Sequence, residues 1–351
     1  MERKPISYAF KIAVVLSFML SLLTGQAFAA SSLSDSKLPA RTAQEIKAQW
    51  TKLMNPSADF NIPFVRQPTV ASPYTPGILK PQYILDGVNA VNFYRFISGL
   101  PHDVISTSSL NAQAQYGSVL MAAEDNFSHT PPKPADMPQS FFAKGLASTS
   151  SANIYASSGF DDHIVAHSVG AYMEDSDTGN LPVLGHRRWI LNPPLLKVGF
   201  GLADSEDDWS YSAMQVFDKS RPKTVDYDYV AYPAAGAFPV EIFDSYYAWS
   251  ISLNMIKFKL PVESGIKVYV KRLSDKKTWM LSSKNGKVSE KGAYFNLETH
   301  GYGSGTAIIF RPDGIAKFKA GDRYTVTVTG LKTLKGTSRP LTYTVNFMSV
   351  T

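Results

Sequence analysis

The chain has 351 residues, of which 44% are hydrophobic, 12% aromatic and 18% charged, with a net charge of +6. That is enough apolar material for about two folded domains and excludes a disordered chain. Cys is absent, which excludes disulfides, thiolate zinc sites, iron–sulfur clusters and a cysteine nucleophile together.

The first thirty residues read as an export signal. Arg3, Lys4 and Lys11 flank the start of an apolar run from Ile12 to Leu23. The run ends near Gly25, and Ala27-Phe28-Ala29 places small residues where a signal peptidase needs them. Such a run is shorter than the ~20 residues that span a bilayer. Residues 1–29 are therefore expected to be removed, leaving no transmembrane anchor. An exported chain without Cys suits a bacterium better than a eukaryote, and a Gram-positive one best. The expected location is outside the cell, secreted or associated with the cell wall.

Residues 30–78 read as an N-terminal tether with one helix, over Thr42 to Leu53, before Pro63, Pro68, Pro73 and Pro76 interrupt regular structure. From 79 to 220 the pattern is helical at first. Leu85, Val88, Asn92 and Phe96 fall on one face, and Leu110, Ala114, Gly117 and Met121 on another. A third helix is expected over Asp161 to Tyr172, with Asp161 as its cap. Extended runs follow at Lys197–Leu202 and Tyr211–Phe217. From 221 to 351 short alternating runs recur at 266–270, 294–297, 306–310, 324–329 and 341–347. Turn signals separate them, such as Asn285-Gly286 and Asp313-Gly314, so this part is expected to be an all-β sandwich.

Charge divides along the same boundary. Residues 79–220 hold eight Lys and Arg against fifteen Asp and Glu, a net of −7, whereas 221–351 hold nineteen against ten, a net of +9. A basic β-module is suited to an anionic polymer such as a cell wall, or to docking on its acidic neighbour. Aromatic residues are not interleaved with Arg or Lys as nucleic-acid binding requires, so no nucleic-acid partner is expected.

Four of the six His residues lie between 129 and 186. His163 and His167 share a helix face at a spacing that can hold a metal, but Ile164 stands where a zinc protease has its Glu. Ser168 in Ala166-His167-Ser168-Val169-Gly170 sits inside a helical pattern rather than on the sharp turn that a nucleophile elbow needs. His129 and His186 have less ordinary settings. His129 ends a helix before Thr130-Pro131-Pro132, and His186 stands in Gly185-His186-Arg187-Arg188-Trp189. Asn92 is expected to tie down neighbouring backbone, and Arg95 to be an ion-pair or packing residue rather than a ligand group.

One ordered set of motifs carries a resemblance. Asn89-x-x-Asn92-x-x-Arg95, Leu110-x-x-x-Ala114, Phe127-Ser128-His129-Thr130-Pro131-Pro132, Ala152-Asn153-Ile154, Gly185-His186-Arg187-Arg188 and Val198-Gly199-Phe200-Gly201 follow one another. Together they resemble the bacterial branch of the CAP superfamily, which joins cysteine-rich secretory, antigen 5 and pathogenesis-related proteins and is also called the SCP domain. The match covers about residues 80–218, and the β-module resembles the Ig-like tail of some large members. The resemblance implies an α+β chain: an α-β-α sandwich at 79–220 followed by an Ig-like sandwich at 221–351. It also implies a cleft holding His129 and His186 with two acidic residues, where some members bind a divalent metal. Asn153 occupies the Asn of the family's Gly-Glu-Asn-Ile motif, but Ala152 replaces its Glu. Glu174 or Asp175 is nearest to the second acidic position.

No catalytic residue is assigned on this reading. The expectation is a non-catalytic binding module that holds a small molecule, lipid or peptide in a cleft of His129, His186, Asn153, Glu174 and Asp175. No cofactor is expected, with weak binding of a divalent metal such as zinc by His129 and His186 as the alternative, because imidazoles without a carboxylate bind zinc poorly. A hydrolase acting outside the cell with the two His residues, metal-assisted or as acid–base groups, and a structural coat protein, are the competing classes. The export reading is checked on native protein: N-terminal sequencing is expected to begin at Ala30, and an intact Met1 would refute it.

Overall fold

The computed structural model describes residues 35–159 and 162–351. The export signal at 1–29 and the Asp161 cap lie outside them. The chain is α+β, and the described residues form one compact unit. Among the described residues no helix is long and apolar enough to cross a membrane.

Helix α1 (Ala43–Leu53) opens on a reciprocal cap. Glu45 N donates to Thr42 Oγ1 at 3.2 Å, and Thr42 N donates to Glu45 Oε2 at 2.8 Å. Strands β1 (Phe64–Arg66) and β2 (Ile78–Leu79) then pair antiparallel across the Pro-rich stretch. Helix α2 (Pro81–Ile97) starts on its Pro and is buried on most sides, as an apolar helix at the centre of a fold must be. Leu85 is exposed rather than on the core face, because it belongs with Pro81, Gln82 and Asn89 to the strip left open. Asn92 does hold backbone: its amide exchanges two 2.9 Å hydrogen bonds with Val104.

The next elements are β3 (Ile105–Ser106), α3 (Ser108–Ala123), α4 (Gln139–Thr149), β4 (Ala152–Ser158), α5 (Ile164–Glu174), α6 (Gly185–Ile190), β5 (Lys197–Asp204) and β6 (Trp209–Gln215). The strands form one sheet in the order β3-β5-β6-β4. Alternation sorts its side chains onto two faces. Val198, Phe200, Leu202 and Met214 pack with α2 and α5. Ile154, Ala203, Tyr211 and Ala213 pack with α3 and α4. Gly199 and Gly201 let α3 lie directly on β5: a Cβ at either would come within 2.2 or 2.3 Å of the α3 backbone.

The remaining strands are β7 (Tyr229–Tyr232), β8 (Gly236–Pro239), β9 (Trp249–Leu253), β10 (Lys267–Arg272), β11 (Thr278–Leu281), β12 (Tyr294–Glu298), β13 (Ala307–Arg311), β14 (Arg323–Thr329) and β15 (Leu341–Met348). They make two sheets, ordered β11-β10-β14-β15-β8 and β12-β13-β9-β7. Val268, Val326, Tyr343 and Phe347 of the first sheet share a core with Trp249, Ile251 and Phe310 of the second.

The two halves meet through α6. Arg187 is fully buried and donates to three carbonyls: Met173 (2.6 Å), Glu174 (2.8 Å) and, across the boundary, Ala248 (2.6 Å). Its guanidinium lies 4.8 Å from the ring centre of Tyr232. Arg188 donates to Val183 O and to the carbonyls of His300 and Gly305. Burial draws the pKa of both guanidinium groups down, only partly opposed by nearby acidic and tyrosine groups. The segment before α1 is packed too. Ala237 N donates to Arg41 O and Asp228 N to Ser36 O, each at 2.9 Å, and Asp35 accepts from Tyr229 OH and Thr342 N.

Arg187→Ala strands several buried carbonyls, each at about 1–3 kcal/mol. It is expected to lower unfolding stability by at least ~3 kcal/mol, read as a fall in the urea midpoint. Arg187→Lys should recover little, because an ammonium cannot reach three carbonyls in a fork. A midpoint unchanged in Arg187→Ala would contradict the role given to the cage.

Candidate functional site

The cleft around His186 is built at the junction of α5 and α6. Asp175 ends α5 with φ +48, a left-handed conformation that Asp tolerates better than most residues. The turn brings its buried carboxylate back onto α6. Asp175 Oδ1 accepts from His186 Nδ1 at 2.6 Å, and Oδ2 accepts from Arg187 N at 3.1 Å. The proton of a neutral His186 is thereby placed on Nδ1, leaving Nε2 as the acceptor. Behind the ring, Asn153 Nδ2 donates to His186 O at 3.2 Å, and Tyr172 OH donates to Asn153 O at 3.1 Å. The Tyr172 ring is 5.3 Å from the imidazole.

His186, Asp175 and Tyr172 border a cavity of about 320 Å³. Phe127, Tyr155 and Tyr172 supply aromatic surface; Glu174, Asp175 and Asp177 supply carboxylates; Ser176, Asn180 and His186 complete the polar lining. Glu174 is held by Ser176 Oγ (2.5 Å) and by Tyr247 OH (2.9 Å) from the β-half. Asp177 accepts from Gly179 N, Asn180 N and the Asn180 amide, and these bonds lower its pKa although burial opposes them. Burial pulls the His186 pKa down. The charge and hydrogen bond of Asp175, with Asp177 beyond, more than offset that pull, so His186 titrates above the ordinary value.

His186, Glu174 and Asp175 therefore share one cleft, with Asn153 buried behind it. His129 is not among the lining residues. It is exposed, its Nδ1 donates to Thr149 O at 2.7 Å, and Thr149 Oγ1 donates back to His129 O at 3.0 Å. This reciprocal pair fastens the loop after α3 to the end of α4. Nδ1 of His186 is held by Asp175 and Nδ1 of His129 by a carbonyl, which leaves Nε2 on each ring, and Ala152 supplies no carboxylate. Among the described residues no group of three or more His, Asp or Glu is arranged to hold a metal ion.

Tyr155, Tyr172 and Asp177 were not singled out from the sequence. The signal for Tyr155 was its place two residues after Asn153 on one strand, which puts both on the same face. The His163/His167 pair diverges in the structure. His163 caps α5 instead of lying within it, with Nδ1 accepting from Ala166 N at 3.2 Å. It is buried, stacked on Tyr83 at 3.7 Å, with Nε2 3.2 Å from Asp86 Oδ2. Burial lowers its pKa more than Asp86 raises it. His167 pairs at the surface with Asp162.

The chain matches no family model, and no curated protein matches it.

A His whose folded pKa is raised stabilises the fold fully below its unfolded value of about 6.5, and that contribution is lost as pH rises through the folded pKa. The NMR titration of His186 should accordingly lie above that of an unfolded His. In Asp175→Asn burial acts without the opposing charge, so the midpoint should fall below the ordinary value and the pH trend should reverse. A titration unmoved by Asp175→Asn would show that the carboxylate does not set the imidazole's charge.

Proposed function

We propose that the chain is an exported binding protein acting outside the cell, with a CAP-like α-β-α sandwich followed by a basic Ig-like sandwich. The observation that carries this reading is the Asp175–His186 pair, which fixes one polar group at the wall of a half-open cleft. Three carboxylates against one imidazole favour a neutral or cationic ligand, and the aromatic walls suit a flat apolar face. A hydroxyl- or amine-bearing small molecule meets both conditions, and sugar–peptide fragments of a cell wall are of that kind. The net charge of +9 on residues 221–351 supports attraction to an anionic wall polymer.

A second reading has one specific observation behind it. The Asp175 carboxylate orients His186 as it would a general base, with Nε2 left to act on water or substrate. A hydrolase of this kind would work without a side-chain nucleophile.

Titrating isotope-labelled protein with soluble cell-wall glycopeptide fragments separates these readings. Binding is expected to move the amide signals of Tyr155, Tyr172 and Asp177 saturably. His186→Ala is expected to weaken it about tenfold, as for loss of a hydrogen bond to a charged group. Fragments recovered intact would favour the binding module; fragments cleaved by wild type but not by His186→Ala would favour the hydrolase. Signals that do not move would remove the cleft from either role.

A further inference from the structure

Four of the five most exposed large hydrophobic side chains among the described residues lie on two loops of the β-half. They are Ile256 (74% exposed), Val262 (71%), Leu334 (61%) and Leu260 (59%). The loops are neighbours: Phe258 bridges to Thr333, and Lys259 N donates to Lys332 O at 3.0 Å. Neither is loosely held. Phe258 is buried beneath the Arg339 guanidinium, 4.8 Å from its ring centre. The second loop is a tight hairpin in which Thr333 N donates to Thr337 O and Gly336 N to Thr333 O. Gly336, at φ +85, closes that turn and leaves Leu334 and Lys335 at its tip.

The cations around these side chains are uncommitted. Lys259, Lys332 and Lys335 are exposed and enter no ion pair among the described residues, whereas Lys257 is held by Asp226 and Asp228. Glu263 is the one acidic side chain in 255–265 and 330–338. The surface thus presents aliphatic tips set among lysines. An anionic polymer would neutralise the lysines and leave the tips in water. An apolar protein groove would cover the tips and leave the lysines unpaired. A bilayer with anionic headgroups satisfies both, with aliphatic groups in the acyl boundary and ammonium groups at the phosphates.

We propose that this face of the β-half, formed by Ile256, Leu260, Val262 and Leu334 with Lys259, Lys332 and Lys335, rests on the surface of an anionic phospholipid bilayer. The contact is peripheral and independent of the His186 cleft, so cleft variants leave it unchanged.

The test is co-sedimentation with vesicles, using a chain that starts at Ala30 and keeps the whole compact unit. Vesicles of equal phosphatidylglycerol and phosphatidylcholine are compared with phosphatidylcholine alone. Binding is expected on the anionic vesicles and is expected to be lost at 0.5 M salt, where the Debye length shrinks to about 4 Å from about 10 Å at 0.1 M. The Ile256→Ser/Leu334→Ser double variant should bind at least tenfold more weakly while its circular dichroism and melting stay as wild type, since both sites are exposed. Replacing Lys332 alone by Ala should cost about fivefold. Equal partition onto neutral vesicles, binding unchanged in the double variant, or no binding at all would overturn the proposal. So would wild-type self-association in the ultracentrifuge that the double variant abolishes, because a second copy of the chain would then cover the face.

Discussion

A guanidinium buried without a carboxylate partner must find its hydrogen bonds in backbone carbonyls, and this molecule is organised around that requirement. Arg95, Arg187, Arg188 and Arg311 are all fully buried. Arg95 gathers Pro101, Ile190 and Asn192; Arg311 gathers Tyr246, Ser289, Glu290 and Gly292. Each cage fixes loops that have no regular structure of their own to satisfy their carbonyls. Arg187 and Arg188 extend the principle across the boundary between the halves. Because they are consecutive on a six-residue helix, they reach different parts of the β-half from one short element.

That arrangement ties the cleft to the junction. His186, Arg187 and Arg188 stand side by side, the first lining the cavity and the next two crossing the boundary. Asp175 binds the first two at once, through one oxygen to the imidazole and the other to the Arg187 amide. Tyr247 reaches from the β-half to Glu174 on the cleft rim. The cleft's polar wall and the junction between the halves are thus built from the same short helix.

Much of this was legible in the chain. Alternation located β10, β14 and β15, each with one face buried and the other more open, and short runs between turn signals set off β12 and β13, although β13 is buried throughout. Neither signal revealed β7, β8 and β9, which are buried throughout, or β11, a four-residue edge strand. The cap of α1 could be read from Thr42 and Glu45 because a capping box is local. The cap of α5 could not, because His163 does the work of Ser or Asp only with Tyr83 and Asp86 packed around it. At the site, His186 stood out by its Gly and Arg neighbours. The partner that holds the ring of His129 is Thr149, twenty residues away and invisible to any local pattern.

The docked segment before α1 has a consequence for how the molecule is made. Asp35 accepts a hydrogen bond from Thr342 N, closing a span of 307 residues. Strand β8, which donates a bond from Ala237 N to Arg41 O, lies parallel beside β15. The segment from Asp35 to Arg41 therefore has no complete partner until β15 has been synthesised. Long-range closure of this kind slows folding, since loop entropy must be spent before the contact rewards it. The contacts that dock the segment before α1 thus form late, once β15 is in place.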